Sequence, residues 1–384
     1  MTFDGSVIRA LLDSAVSRGT VHGIAATVVD REGPLFYHAA GEANEQSMFR
    51  NASMTKAFAT TAALQHIEQG RLSLDTTVES ILPEFGELPV LDGFDGDKPR
   101  LRPPASKATV RQLMTHSAGL GYFFLNEKLM RYHEVTGEPH PLSGLKRSLS
   151  MPLVNDPGTA WEYGVNTDWL GLIVEKLSGQ TLSSYLKKRV FGPLGMKDST
   201  FAPSAEQRGR LLRVMQRQAD GTLAPSKIDL PPAPEWDAAG HGSYGTAQDY
   251  GRFVQAWLND GSGILKPATV RMALENHLGQ IQLPALIKSK VPELSNDVPA
   301  LQVPQSWGLG FHIVLADLPG MRSNGTGDWA GIFNSYYWID RSKSIGAVLM
   351  TQLLPFFDMQ VIETLIGFEL AVYGQVGAAS RPVV

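Results

Sequence analysis

The chain of 384 residues contains no cysteine. That excludes a disulfide framework, a thiolate nucleophile and any zinc site built on thiolates. An excess of charge is also lacking, since 34 basic residues stand against 38 acidic ones for a net charge of −4. Nothing in that balance attracts nucleic acid or an anionic membrane, so neither is expected as a partner. Long apolar runs are missing too, and none approaches the ~18 residues of a membrane span. The opening MTFDGSVIRALLDSAVSRG carries Asp4, Arg9 and Asp13 inside its apolar pattern. A signal peptide needs a basic start and an unbroken apolar stretch, so the expectation is a soluble cytoplasmic protein. Neither G-x-S-x-G nor H-E-x-x-H occurs, which leaves an α/β-hydrolase or zincin reading without an anchor.

What is present is a composition that can build a core, with 43% hydrophobic and 19% charged residues. Disorder and coiled coil are thereby excluded. Residues 4–18 repeat apolar positions at helical spacing, through Val7, Ile8, Leu11, Leu12 and Ala15. GIAATVVD (23–30) and PLFYHAAG (34–41) read as a hairpin, and IFNSYYWID (332–340) with SIGAVLMTQ (344–352) reads as a second. An apolar helix is expected from about 357 to 372. A two-stranded ribbon is marginal alone, so both ends of the chain are expected to join one antiparallel sheet with helices packed on it. Between about 76 and 230 helical signals dominate, with a long loop or extra hairpin at 88–108. The fold class expected is therefore α/β plus all-α. Residues 1–75 and 231–384 form a discontinuous domain around the sheet, and 76–230 form an inserted, mostly helical domain.

Gly240-His-Gly-Ser-Tyr-Gly245 fits G-x-G-x-x-G, but PPAPEWDAA before it cannot be a central parallel strand. It reads as a glycine turn leading into a helix capped by Thr246, with Asp249 in a capping-box-like place.

S-x-x-K occurs three times, at Ser53–Lys56, Ser143–Lys146 and Ser184–Lys187. Only Ser53 heads a segment, MTKAFATTAALQHIEQG, that is apolar nearly all round and so belongs inside a core. A serine in the first turn of such a helix meets unpaired N–H groups and the positive end of the dipole. Lys56 lies one turn on along the same face. A lysine under apolar cover holds its proton less firmly and can serve as the base that a serine nucleophile needs. Spacing alone leaves a second reading open, in which Ser53 is an N-cap and Lys56 reaches solvent.

Two further elements favour chemistry. Tyr163 stands on a loop just before a helix starting near Asn166, a place from which a phenol beside a lysine can act as base or relay. Downstream, SNGTGDWAGIFNSYYWID (323–340) is read as a glycine-rich turn feeding an apolar strand, with Trp329-Ala330-Gly331 at its entry. Gly331 permits close approach of a ligand, and the N–H groups of Ile332 and Ser53 would make a two-donor oxyanion hole.

These elements in this order, over about residues 20–352, resemble the serine β-lactamase and DD-peptidase superfamily, class C type. LMTHSAGLGYFF (113–124) and WIDRSKSIGAVLMTQ resemble further stretches of that family. Two departures stand out. Val165 occupies the place of the family's asparagine after the tyrosine, with Asn166 one further on, and Trp329-Ala330-Gly331 replaces its Lys-Thr-Gly. Trp329 cannot pair with the carboxylate of a β-lactam or peptide. The combination is similar to the family VIII carboxylesterases. The resemblance implies a serine esterase for short-chain acyl esters, with Ser53 as nucleophile and Lys56 and Tyr163 sharing its proton. It also implies a small-molecule ester as partner and neither metal nor organic cofactor. Trp329, Gly331, Tyr122, Phe123, Trp236 and Asn166 are taken as substrate-binding residues. A β-lactamase or peptidase-like amidase, an acyltransferase and a non-catalytic binding protein are the alternatives. His116 is expected to pack at the end of its helix.

Overall fold

A computed structural model describes residues 3–379. Its centre is a seven-stranded sheet, in which β1 (Gly23–Asp30), β2 (Pro34–Gly41), β3 (Gln305–Trp307), β4 (His312–Val314), β5 (Gly327–Gly331), β6 (Ser335–Asp340) and β7 (Ile345–Met350) run in the order β3-β4-β5-β6-β7-β1-β2. Every pairing is antiparallel, and the two ends of the chain meet where Ala25 faces Met350 and Asp30 faces Ile345. The expected hairpins and their union in one sheet are thus present.

Alternation along the strands sends side chains to two buried faces. Ile24, Ala26 and Val28 join Tyr336, Trp338, Ala347 and Leu349 against helices α1 (Ser6–Ser17) and α5 (Met359–Ala379). On the other face Ala25, Tyr337, Val348 and Met350 meet α4 (Ala247–Leu258), and behind it lies α2 (Thr55–Glu68). Every residue of α2 from Thr55 to His66 is buried. Phe58 anchors the helix, edge-on to Phe191 and Phe253 at 5.0 and 4.7 Å between ring centroids and tilted on Tyr250 at 5.1 Å.

Between α2 and α4 the chain forms short helices, the helix α3 (Asn166–Ser178) and a hairpin of Val90–Asp95 with Lys98–Arg102. Residues Met215–Arg217 of this stretch also pair with Leu353–Leu354 beside the main sheet. Thr246 caps α4 through the Asp249 N–H, while the Asp249 carboxylate turns to Asp198, Ser199 and Arg252. One strand differs from expectation. Residues 327–331 are themselves a strand, and Ile332 lies in the turn that follows, because Asn334 at φ +57° folds the chain back so that Gly331 faces Ser335. Asparagine tolerates that left-handed conformation better than other side chains. Among the described residues no helix is long and apolar enough to cross a membrane.

Phe58→Ala should lower unfolding free energy by about 3–5 kcal/mol in a urea titration, the usual cost of deleting a buried ring. A loss under about 1 kcal/mol would show that α2 is not the core helix its burial indicates.

Candidate active site

Ser53 sits in a single turn, Ala52–Met54, that leads directly into α2. The residue before it, Ala52, has φ +46°, a conformation costing a non-glycine residue about 1–3 kcal/mol. Neighbouring backbone over-determines the turn. Ser243 accepts the Asn51 N–H at its carbonyl (2.9 Å) and the Asn51 side-chain amide at its hydroxyl (2.9 Å). Its hydroxyl also bonds Thr55 Oγ1 at 2.8 Å, and Tyr250 donates to the Met54 carbonyl at 2.9 Å. Strand β5 presses on the same turn at Gly331. A Cβ there would stand 2.5 Å from the Asn51 carbonyl oxygen, so only glycine lets the end of this strand pack against the serine turn.

Lys56 is only 2% exposed. Its Nζ lies 3.2 Å from Ser53 Oγ, 3.1 Å from the Tyr122 hydroxyl and 2.8 Å from the Gly240 carbonyl oxygen. It also lies 4.7 Å from the ring centre of Tyr163, over the negative face of that ring. The lysine therefore stays inside, and the solvent-reaching reading of Lys56 does not describe this structure. The three N–H bonds of its amine are thus directed to three oxygen atoms, the serine hydroxyl among them.

Tyr163 is in the same cavity, but its hydroxyl accepts from Trp329 Nε1 at 2.8 Å and bonds neither Ser53 nor Lys56. The phenol that touches the amine is Tyr122, read from sequence as a pocket wall. Burial, then the nearby charge of Asp168, pushes the Tyr122 hydroxyl well above its usual range, so it stays protonated. His116 is buried and pushed well below its ordinary value, first by burial and then by the Lys56 charge. It accepts a hydrogen bond from the Asn166 amide at 3.1 Å and is a packing residue, as expected.

The cavity beside Ser53 has a volume of about 330 Å³. Tyr122, Phe124, Trp161, Trp307, Trp329 and Ile332 are among its walls. Gly331 lines it as well, whereas Phe123, Trp236 and Asn166 do not. Phe123 turns outward to stack on His140 at 4.4 Å, leaving its neighbour Phe124 inside. Trp236 is buried near His241 behind the wall. Asn166 is fully buried and spends its amide on His116, Leu120 and Glu162. Among the described residues that line the cavity Arg322 alone carries a permanent cation, and it is held by Asp328 (2.6 Å) and by both Glu369 oxygens (2.8 and 2.9 Å). Among the described residues no group of three His, Asp or Glu stands where it could hold a metal.

Two parts of this site had no separate mark in the sequence. The Gly240 carbonyl is backbone, and Ser243 lies in a segment whose glycine pattern pointed to a turn. Packing on Ser53–Thr55 is what gives them their place.

The β-lactamase family model matches residues 8–370. A lovastatin esterase of Penicillium rubens is 31% identical over 89% of this chain and 92% of its own. A monacolin J acid methylbutanoyltransferase of Aspergillus terreus is 34% identical over 85% and 82% respectively. The unliganded structure of simvastatin synthase from Aspergillus terreus superposes with a TM-score of 0.85 at 28% identity, covering 97% of this chain and 99% of that one. The fold is accordingly that of the β-lactamases and transpeptidases, with its sheet and flanking helices as read from the sequence. The chain belongs to the β-lactamase family, in the company of a lovastatin esterase and a methylbutanoyltransferase.

Proposed function

We propose that this protein is a serine esterase that carries a short acyl group on Ser53. The observation that supports this most is the amine of a buried lysine 3.2 Å from a serine hydroxyl that opens onto an apolar cavity. A desolvated amine beside a hydroxyl is the arrangement that turns serine into a nucleophile. In this reading Ser53 Oγ attacks the ester carbonyl, forming the new C–O bond as its proton passes to the group of Lys56, Tyr122 and Tyr163. In the scheme that proton is shared among the group and assigned to no single member. The N–H groups of Ser53 and Ile332 hold the oxyanion. The intermediate collapses by breaking the bond to the alcohol, which leaves with the proton. Water then attacks the acyl carbonyl as its proton passes to the same group. The bond to Ser53 Oγ breaks, releasing the carboxylic acid while the serine takes the proton back. Tyr163 is a catalytic residue in this scheme, with its hydroxyl placed by Trp329. We place the site between residues 76–230 on one side and 1–75 with 231–384 on the other, in a cytoplasmic enzyme.

The chemistry of the cavity supports an uncharged substrate. Its one permanent cation is neutralised by two carboxylates, and Trp329 stands where the family's lysine would bind a substrate carboxylate. A β-lactam or peptide with a free carboxylate finds no partner there. Acyl transfer to an alcohol is a second reading, favoured by the 34% identity to a methylbutanoyltransferase. It changes only the acceptor that meets the acyl-enzyme. The family VIII carboxylesterases remain the group whose substrates this site suits.

Wild-type protein should hydrolyse p-nitrophenyl butyrate and be labelled at Ser53 by a fluorophosphonate, while a chromogenic cephalosporin is left intact. Ser53→Ala should lose the label and drop kcat by at least about 10³-fold. Turnover of the cephalosporin alone would reverse the assignment. Adding 1-butanol during turnover tests the second reading, which requires butyl butyrate to form.

Trp329→Phe keeps an apolar wall but removes the donor to Tyr163. A neutral hydrogen bond is worth ~0.5–1.5 kcal/mol, so kcat on the butyrate ester should fall about 3–10-fold with the unfolding midpoint little changed. An unaltered kcat would remove Tyr163 placement from the scheme.

A further inference from the structure

Lys56 and Asp168 are both taken out of water, at 2% and 1% exposure, and among the described residues neither forms a salt bridge. Asp168 stands in the first turn of α3, where the helix dipole favours an anion. Its Oδ1 accepts the Gly240 N–H at 3.0 Å, and its Oδ2 has no hydrogen-bond partner among the described residues. The carbonyl of the same Gly240 accepts from Lys56 at 2.8 Å. One residue thus faces the carboxylate with its N–H and the amine with its C=O. Gly240 must lack a side chain for this, since a Cβ would overlap Asp168 Oδ2 and lie 3.1 Å from the Tyr122 hydroxyl. Three polar groups crowd that one point.

The geometry points to Asp168 as a positioning residue for the Ser53–Lys56 reaction, the buried anion that supports the charge of Lys56 across the Gly240 residue. This inference rests on the esterase reading above. Two buried charges in a medium of low polarity are each costly alone and far less so when near one another. The other groups around them cannot do this work. Tyr122 stays protonated, and His116 is neutral through burial and the lysine charge. His241 is held below its ordinary value by burial, with Asp168 pulling it up and Lys56 pushing it down. Tyr163 presents only its ring to the amine. Glu162 turns its carboxylate to Asn126 and Asn155.

The sign of the effect follows from the charge. Without the anion Lys56 gives up its proton more readily, so whichever limb of the pH–rate profile reports that proton moves to lower pH. The test compares kcat/KM for p-nitrophenyl butyrate against pH in the wild-type protein, Asp168→Asn and Asp168→Glu. Asp168→Asn should lower the rate at the optimum about 10–100-fold and move that limb down by about one unit, a tenfold change in proton affinity. Asp168→Glu should keep the limb near its wild-type place. A folded Asp168→Asn protein whose rate falls with an unmoved limb shows a merely structural role and overturns the proposal. Where the variants do not fold, a neutron structure of the wild-type protein near neutral pH decides. A carboxylate free of deuterium at Asp168 supports the inference, and a deuteron on Oδ2 overturns it. Failure of the wild-type protein to label with fluorophosphonate would instead remove the esterase reading, and the neutron result would still report the charge of Asp168.

Discussion

The whole arrangement depends on keeping the amine of Lys56 out of water. Burying an ammonium costs several kcal/mol even after the surroundings relax, so a protein keeps one inside only where other groups meet it. Here three oxygen atoms do so, from three separate parts of the chain: Ser53 one turn back, Tyr122 on the loop after a short helix, and the Gly240 carbonyl before α4. None could be in place unless α2 ran through the core, and α2 does so because apolar residues cover its circumference. The aromatic contacts of Phe58 fix the helix, the helix fixes the amine, and the amine holds three oxygen atoms of the site. Packing and chemistry are here one constraint.

A second cost sits beside the first. Ala52 holds a backbone conformation that alanine disfavours, at the residue just before the serine. The strain persists because both sides of the turn are held. Ser243 bonds its amide and side chain from one direction, and β5 packs on it from another through a glycine that leaves room for nothing else. The same two supports present the serine to the cavity, which Ile332 also lines. A substitution at Ser243, which does not line the cavity, would therefore act through the turn geometry, whereas one at Gly331 would alter both the turn and the cavity wall.

Regular features were legible in the sequence because they repeat. The all-round apolar pattern of α2 announced a core helix, and apolar runs split by short polar turns announced strands on both ends of the chain that proved to be neighbours. The serine and lysine were legible because helical spacing fixes their relation. Other members of the site lie on irregular backbone, where one residue of offset reverses a side chain. That is why Phe124, and not Phe123, faces the cavity, and why Ile332 falls in a turn although its neighbours are β-forming. Asn166 reads from the sequence as a substrate-binding residue at a helix start, yet its amide is consumed by carbonyls and an imidazole inside the core. Tyr122 gave no signal of its contact with Lys56, since a loop of small residues carries no period. The Gly240 carbonyl could give none, because every residue has one.

On the esterase reading, the walls of the cavity bear on which esters enter it more than the serine and lysine do. Those two would serve any acyl transfer equally, as the names of an esterase and a methylbutanoyltransferase among the relatives illustrate. Discrimination must come from what a substrate meets beyond the carbonyl. A carboxylate entering here would leave water for a surface of tryptophan, tyrosine and leucine, and the guanidinium within the wall is already committed to Asp328 and Glu369. Desolvating an anion without a partner costs more than any contact with those rings returns. An uncharged ester incurs no such cost and gains by covering apolar surface. The replacement of a lysine by Trp329 thus removes a cation and, through the indole N–H held by Tyr163, ties the phenol to the same wall that excludes charge.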